Sequence, residues 1–183
     1  FTTDSDSSRA GCTTSDGLCE EDYRIFVSSS SSNSNLGGLA GADATCAALA
    51  TAEGLTRNYI AILSTGAVDA IDRITGTGKV YMFVGASSYV QIKDSWANLW
   101  VDGPDVAVSY DETATVIGAP LSTHSGTTLA GVDNGSTCSD WGGTAGMTKY
   151  GAATAAGTTW IDSGVAGTMC VSAKRIYCIS EDQ

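Results

Sequence analysis

Positive charge is scarce in this sequence. Its 183 residues hold 9 Lys and Arg against 20 Asp and Glu, for a formal net charge of −11. A surface of that sign repels phosphate backbones, anionic membranes and sulfated glycans, which argues against nucleic acid as a partner. Charge of either sign is low, 16% of residues, where about 25% is usual, so the surface has to be built from Ser, Thr, Gly and Asn. Histidine occurs once, as His124, and no Cys-x-x-Cys pair is present. That leaves a zinc site without its usual short ligand spacings. No apolar run approaches the roughly 20 residues needed to cross a bilayer, so no transmembrane segment is expected. There is no Gly-x-Ser-x-Gly nucleophile elbow and no repeat of fixed period. Prolines number only two.

What is present points to a disulfide-stapled globular protein. Hydrophobic residues make up 43% of the chain, and 22 glycines mark many turns. The length suffices for one well-buried core. Six cysteines, Cys12, Cys19, Cys46, Cys138, Cys170 and Cys178, form an even set. Three disulfides in an oxidising compartment is the expectation, and the protein is therefore placed outside the cell or on its surface. Phe1 in place of Met agrees with a leader already removed. A pilin is argued against, because residues 2–9 are polar and open no long apolar helix.

Residues 1–22 read as a polar N-terminal arm and residues 23–183 as the single folded domain. Within the domain, strands are expected at residues 24–28, 59–64, 81–84, 89–92 and 174–180. A helix follows the Leu36–Gly41 turn. Ala42, Cys46, Leu49 and Ala50 form its buried face, Asp43 sits in its first turn and Gly54 caps its end. A short helix is expected over residues 68–74, capped by Ser64 or Thr65, and another over residues 95–100, capped by Asp94 or Ser95. The Ser-rich run 28–35 reads as a surface loop, and residues 101–170 as long loops with short strands. Strands and helices mix without regular alternation, which gives the class α+β.

Candidate sites are few. His124 lies among Ser122, Thr123 and Ser125 but reads as a solvated loop histidine. Asp102, Asp105, Asp111 and Glu112, with Asp133 and Asp140, supply calcium-type oxygen ligands at spacings that do not match an EF-hand loop. Trp96 and Trp100 read as core, whereas Trp160, after a Gly/Ala/Thr stretch, is the candidate exposed aromatic for ligand contact. Asn134-Gly-Ser136 is a sequon that makes Asn134 the candidate glycosylation site. No catalytic, cofactor or metal residue is assigned.

Several segments taken in order are familiar. They are RIFVS at 24–28, NLGGLAGADATC at 35–46, AEGL at 52–55, YIAILS at 59–64, DSWANLW at 94–100, CSDW at 138–141, Cys170 and RIYC at 175–178. Together they resemble a bacterial domain-of-unknown-function family of secreted and surface proteins, leptospiral lipoproteins included. That family is similar to the endostatin-like branch of the C-type-lectin-like fold. The resemblance spans about residues 23–183. It implies a bridge from Cys46 to Cys178 and one from Cys138 to Cys170, which leaves Cys12 and Cys19 to each other in a small loop of the arm. Endostatin's clustered arginines and N-terminal histidines have no counterpart here, so heparin and zinc binding do not carry over. The Glu-Pro-Asn and Trp-Asn-Asp sugar–calcium motifs of true C-type lectins are absent as well, and Cys138-Ser-Asp-Trp-Gly142 resembles the second only superficially.

Two functions follow as expectations. One is a non-enzymatic structural or adhesive subunit of a surface assembly or fibril. Fixing the backbone costs about 1–2 kcal/mol per residue, and residues 1–22 bring little apolar surface to offset it. Order in the arm is therefore expected to come from another copy of the chain, in a head-to-tail filament. The other is a lectin-like or host-matrix binding module that holds carbohydrate or matrix in loops 101–170.

Overall fold

The structure is a computed structural model and describes residues 18–85, 88–119, 121–164 and 167–181. Its spine is a five-stranded mixed sheet. The strands are β1 (Tyr23–Val27), β2 (Tyr59–Ala61), β3 (Val80–Gly85) and β4 (Ser88–Lys93), with the late strand Tyr177–Ser180, numbered β9 in chain order. Their spatial order is β2-β9-β1-β3-β4. Only β1 and β3 run parallel; the other neighbours are antiparallel. The class expected from the sequence, α+β, is what the protein adopts.

The sheet is covered on both faces, and the period of two along its strands sorts the side chains. Tyr23, Ile25 and Val27 of β1, with Tyr177 and Ile179 of β9, face one core, which includes Trp96, Leu99, Trp100, Trp160 and Ile161. Phe26 and Cys178 face the other core, with Ala42, Cys46 and Ala50. That second core is roofed by α1 (Gly38–Ala52), whose buried residues Ala42, Cys46 and Ala50 are small enough for the helix to lie close to the strands. The first core is closed by α2 (Trp96–Asp102) and by the chain beyond it. Ser95 Oγ accepts from the Asn98 amide and caps α2, so the cap is Ser95 and not Asp94.

Several sequence expectations are corrected here. Helix α1 starts at Gly38, which puts Asp43 past its first turn. The Asp43 carboxylate instead accepts from the Ala61 amide at 2.9 Å and pairs with Arg73 at 2.6 Å, tying α1 to β2. Gly54 does end the helix in the left-handed region, at φ 71°. The helix expected at 68–74 is a single 3-10 turn, Ile71–Arg73. Ser64 Oγ and Thr65 Oγ1 accept from the Ala70 and Val68 amides just before that turn. The run 28–35 is only partly a surface loop. Ser28 and Ser34 are buried, and Ser32 and Ser34 bond to Lys174 and Cys170 across a seam between sheet and loops.

Of the arm, residues 18–22 are described. Leu18, Cys19 and Asp22 are buried against the domain. Arg57 donates to the carbonyls of Cys19, Glu20 and Asp22, and a Cβ placed on Gly78 would lie 1.6 Å from the Glu21 carbonyl oxygen. Residues 18–22 thus pack on the domain. Residues 1–17, including Cys12, lie outside the described residues, as does the arm's expected contact with a second copy. Cys19 is disulfide-bonded. Cys46 is joined to Cys178, and Cys138 to Cys170, the pairs that the resemblance implies.

Candidate functional site

Beyond α2 the chain builds a second layer on the sheet. It contains β5 (Ser122–His124), which pairs with β7 (Tyr150–Ala152), and β6 (Met147–Thr148), which pairs with β8 (Thr168–Met169). Between them a four-residue helical turn, Cys138–Trp141, has positive φ throughout, from 53° to 66°. Left-handed backbone costs a non-glycine residue about 1–2 kcal/mol, so this turn has to be held from outside. The Cys138–Cys170 disulfide, the Trp141 indole donating to the Ser64 carbonyl at 2.7 Å and the Leu36 amide donating to the Trp141 carbonyl at 2.8 Å hold it. Asp140 Oδ1, within the turn, accepts from Gly66 and from Thr137 Oγ1.

Most of the candidate residues prove to be structural. Trp160, expected at the surface, is fully buried. The 3-10 turn Gly157–Trp160 tucks its ring between Trp100 and Tyr177, at centroid distances of 5.6 and 5.1 Å. That long-range packing overrides its flexible sequence context, and it offers no face to a ligand. His124 is not a solvated loop residue either. It ends β5 with no exposure, its Nε2–H donates to the Ser32 carbonyl at 2.9 Å, and its ring packs on Trp141. Burial, with the Lys174 charge adding to it against the Ser32 bond, lowers its pKa from 6.5 to about 4. The imidazole is therefore neutral at physiological pH. Ser34 Oγ lies 3.4 Å from its Nδ1 but is itself fully buried, away from any substrate.

Apart from Asp133, the acids are dispersed among structural tasks. Asp102 and Asp105 both pair with Lys93, at 2.5 and 2.8 Å. Burial opposes the Lys93 charge, but hydrogen bonds to these two carboxylates hold its pKa above the ordinary value. Asp111 accepts from the amides of Thr113 and Thr115, closing a turn. Glu112, also buried, accepts from Ser29 through both its amide and its hydroxyl. The Asp133 amide donates to Asp69, and its own Oδ1 is buried with no hydrogen-bond partner among the described residues. Among the described residues, no group of three or more His, Cys, Asp or Glu side chains is placed to hold a metal ion. Asn134 sits half-buried on its turn, with Oδ1 accepting from the Ser136 amide. Its Nδ2, the atom that would carry a glycan, is shielded from solvent.

One arrangement in this layer is not accounted for by packing. A cleft of about 500 Å³ opens beside β5, β7 and β8. The side chain of Lys174 forms part of its lining, with Ser122, Tyr150, Thr154 and Thr168. The sequence reading missed Lys174 because a lysine at the start of a terminal strand looks like a solvated strand end. The available signal was a basic pair, Lys174-Arg175, leading an apolar strand in a chain poor in bases. Compared with known proteins, the chain matches no protein-family model and no curated protein sequence.

Proposed function

We propose that this chain is a non-enzymatic extracellular binding module, with the endostatin-like form of the C-type-lectin-like fold, that takes its ligand in the loop layer beyond α2. The observation that carries the reading is the stapled layer itself. The Cys138–Cys170 bridge and a left-handed turn fix loops that would otherwise be mobile, and a cleft opens on that layer. Rigid loops on a covered sheet are a common way of presenting a binding surface. The fold reading is supported by the Cys46–Cys178 link between α1 and the last strand, and by the pairing of β1 with β9. Disulfides support an oxidising location. Among the described residues, no helix is long and apolar enough to cross a membrane. A non-enzymatic role is supported by the burial of His124 and Ser34 and by the structural use of the acids.

A second reading, a self-assembling adhesive subunit, is favoured by one specific feature. Met147 and Met169 face each other across the β6–β8 ribbon at 52% and 62% exposure, with Val171 nearby in sequence at 58%. Two measurements on the purified native chain separate the readings. Sedimentation velocity gives the mass distribution, and an array of immobilised neutral and acidic glycans gives the binding. A monomer that binds a subset of the glycans supports the module. A polymer that binds none replaces it with the subunit reading.

A further inference from the structure

We propose that the cleft beside β5, β7 and β8 binds the carboxylate of an acidic sugar residue, with Lys174 as its anchor; this rests on the binding-module reading and names its ligand class. Lys174 is 9% exposed. Its Nζ donates to Ser122 Oγ at 2.9 Å and lies 4.6 Å from the centre of the Tyr150 ring. Among the described residues no carboxylate pairs with it. The contrast is with Lys93, whose side chain is as deeply buried and which carries two carboxylates. In a chain where acids outnumber bases 20 to 9, a buried ammonium left without an acid stands against the composition. Burial of a cation is costly unless it is paired, and burial lowers the Lys174 pKa, with no acid among the described residues to oppose it. The serine hydroxyl and the tyrosine face stabilise the charge in part and fix its position at the cleft wall.

The rest of the lining suggests what carries the missing carboxylate. Hydroxyls of Ser122, Thr154 and Thr168 suit the hydroxyls of a pyranose, and Leu121 and Ala152 supply an apolar wall for its C–H face. A single lysine matches one carboxylate, whereas phosphate and sulfate clusters are better met by arginine forks. The net charge of −11 further weighs against a polyanion and for a glycan bearing one acidic residue.

The test uses the full chain, with D-glucuronic acid, D-glucose and acetate as probes, followed by saturation-transfer NMR. Glucuronic acid is expected to bind about tenfold more tightly than glucose or acetate. Lys174→Met is expected to lose about tenfold of that affinity, and Lys174→Arg to keep it within a few-fold. The backbone amide spectrum of strands β1 and β9, which contribute no residue to the cleft lining, reports whether each variant keeps its fold, and Lys174→Gln replaces Lys174→Met if that variant does not. Equal binding of glucose, or full affinity in the Met or Gln variant, overturns the role of Lys174 while leaving a glycan-positive module intact. Acetate binding as tightly as glucuronic acid overturns the sugar assignment. Failure of all three probes overturns the site, and the glycan array then decides separately whether the module reading survives.

Discussion

His124 makes the stability of this protein depend on pH in a window where a solvated histidine would not. In the folded chain the ring is fully buried between the Ser32 carbonyl, Ser34 and Trp141. Burial depresses its pKa to about 4, against 6.5 for a free histidine. Between these values the unfolded chain binds a proton that the folded chain refuses. Stability is therefore fully present above the unfolded pKa and is lost as the pH falls toward the folded one. Over the interval from pH 8 to pH 5 the linkage amounts to about 2 kcal/mol. Urea unfolding at pH 8, 6 and 5 measures it, with His124→Gln as the comparison. Glutamine retains an N–H donor for the Ser32 carbonyl but does not titrate. Carboxylates contribute alike to both proteins and cancel in the difference, which leaves the wild type losing about 2 kcal/mol more than the variant. An imidazole titration by NMR on the wild type is independent of the variant's fold. Equal pH slopes in the two proteins, or an imidazole that titrates near 6.5, would refute the reasoning.

Three other perturbations have defined outcomes. Replacing Cys46 and Cys178 together by Ala removes a link of sequence separation 132 and is expected to cost about 5 kcal/mol; the same change at Cys138 and Cys170, separation 32, costs about 4 kcal/mol, both read by chemical denaturation. Gly78→Ala drives a Cβ into the Glu21 carbonyl and is expected to cost about 1–3 kcal/mol. Hydrogen exchange would show its protection loss concentrated at residues 18–22, and unchanged exchange there would mean that the segment is not held by this contact. Ser139→Gly, at an exposed position with φ 56°, is expected to raise stability by about 0.5–1 kcal/mol, and Ser139→Val to lower it. Thermal unfolding of both variants tests the sign.

The parts of the fold that were legible in the sequence are those set by local pattern. Strands β1 and β9 carry apolar residues on both faces, and Trp96, Leu99 and Trp100 share one side of α2. Each of these could be read from a few neighbouring residues. What was not legible depends on distant partners. Trp160 lies in a stretch whose composition suggests exposure, yet it is buried by Trp100 and Tyr177. His124 is surrounded in sequence by hydroxyls but in space by Ser32, Ser34 and Trp141. The left-handed turn at Cys138–Trp141 has no glycine to announce it, since its conformation is imposed by the disulfide and by contacts to Ser64 and Leu36. The same holds for Lys174. Nothing in its sequence neighbourhood indicates that Ser122 and Tyr150 receive its ammonium and that, among the described residues, no acid does.

Backbone amide shift mapping during titration with D-glucuronic acid is decisive for the Lys174 cleft, because it reads where the ligand sits as well as whether it binds. Saturable shifts are expected to concentrate at Ser122, Tyr150, Ala152, Thr154, Thr168 and Lys174, the residues around the cleft. Shifts confined to the exposed β6–β8 methionines or to the β4 edge of the sheet, or no saturable shift anywhere, would contradict this expectation.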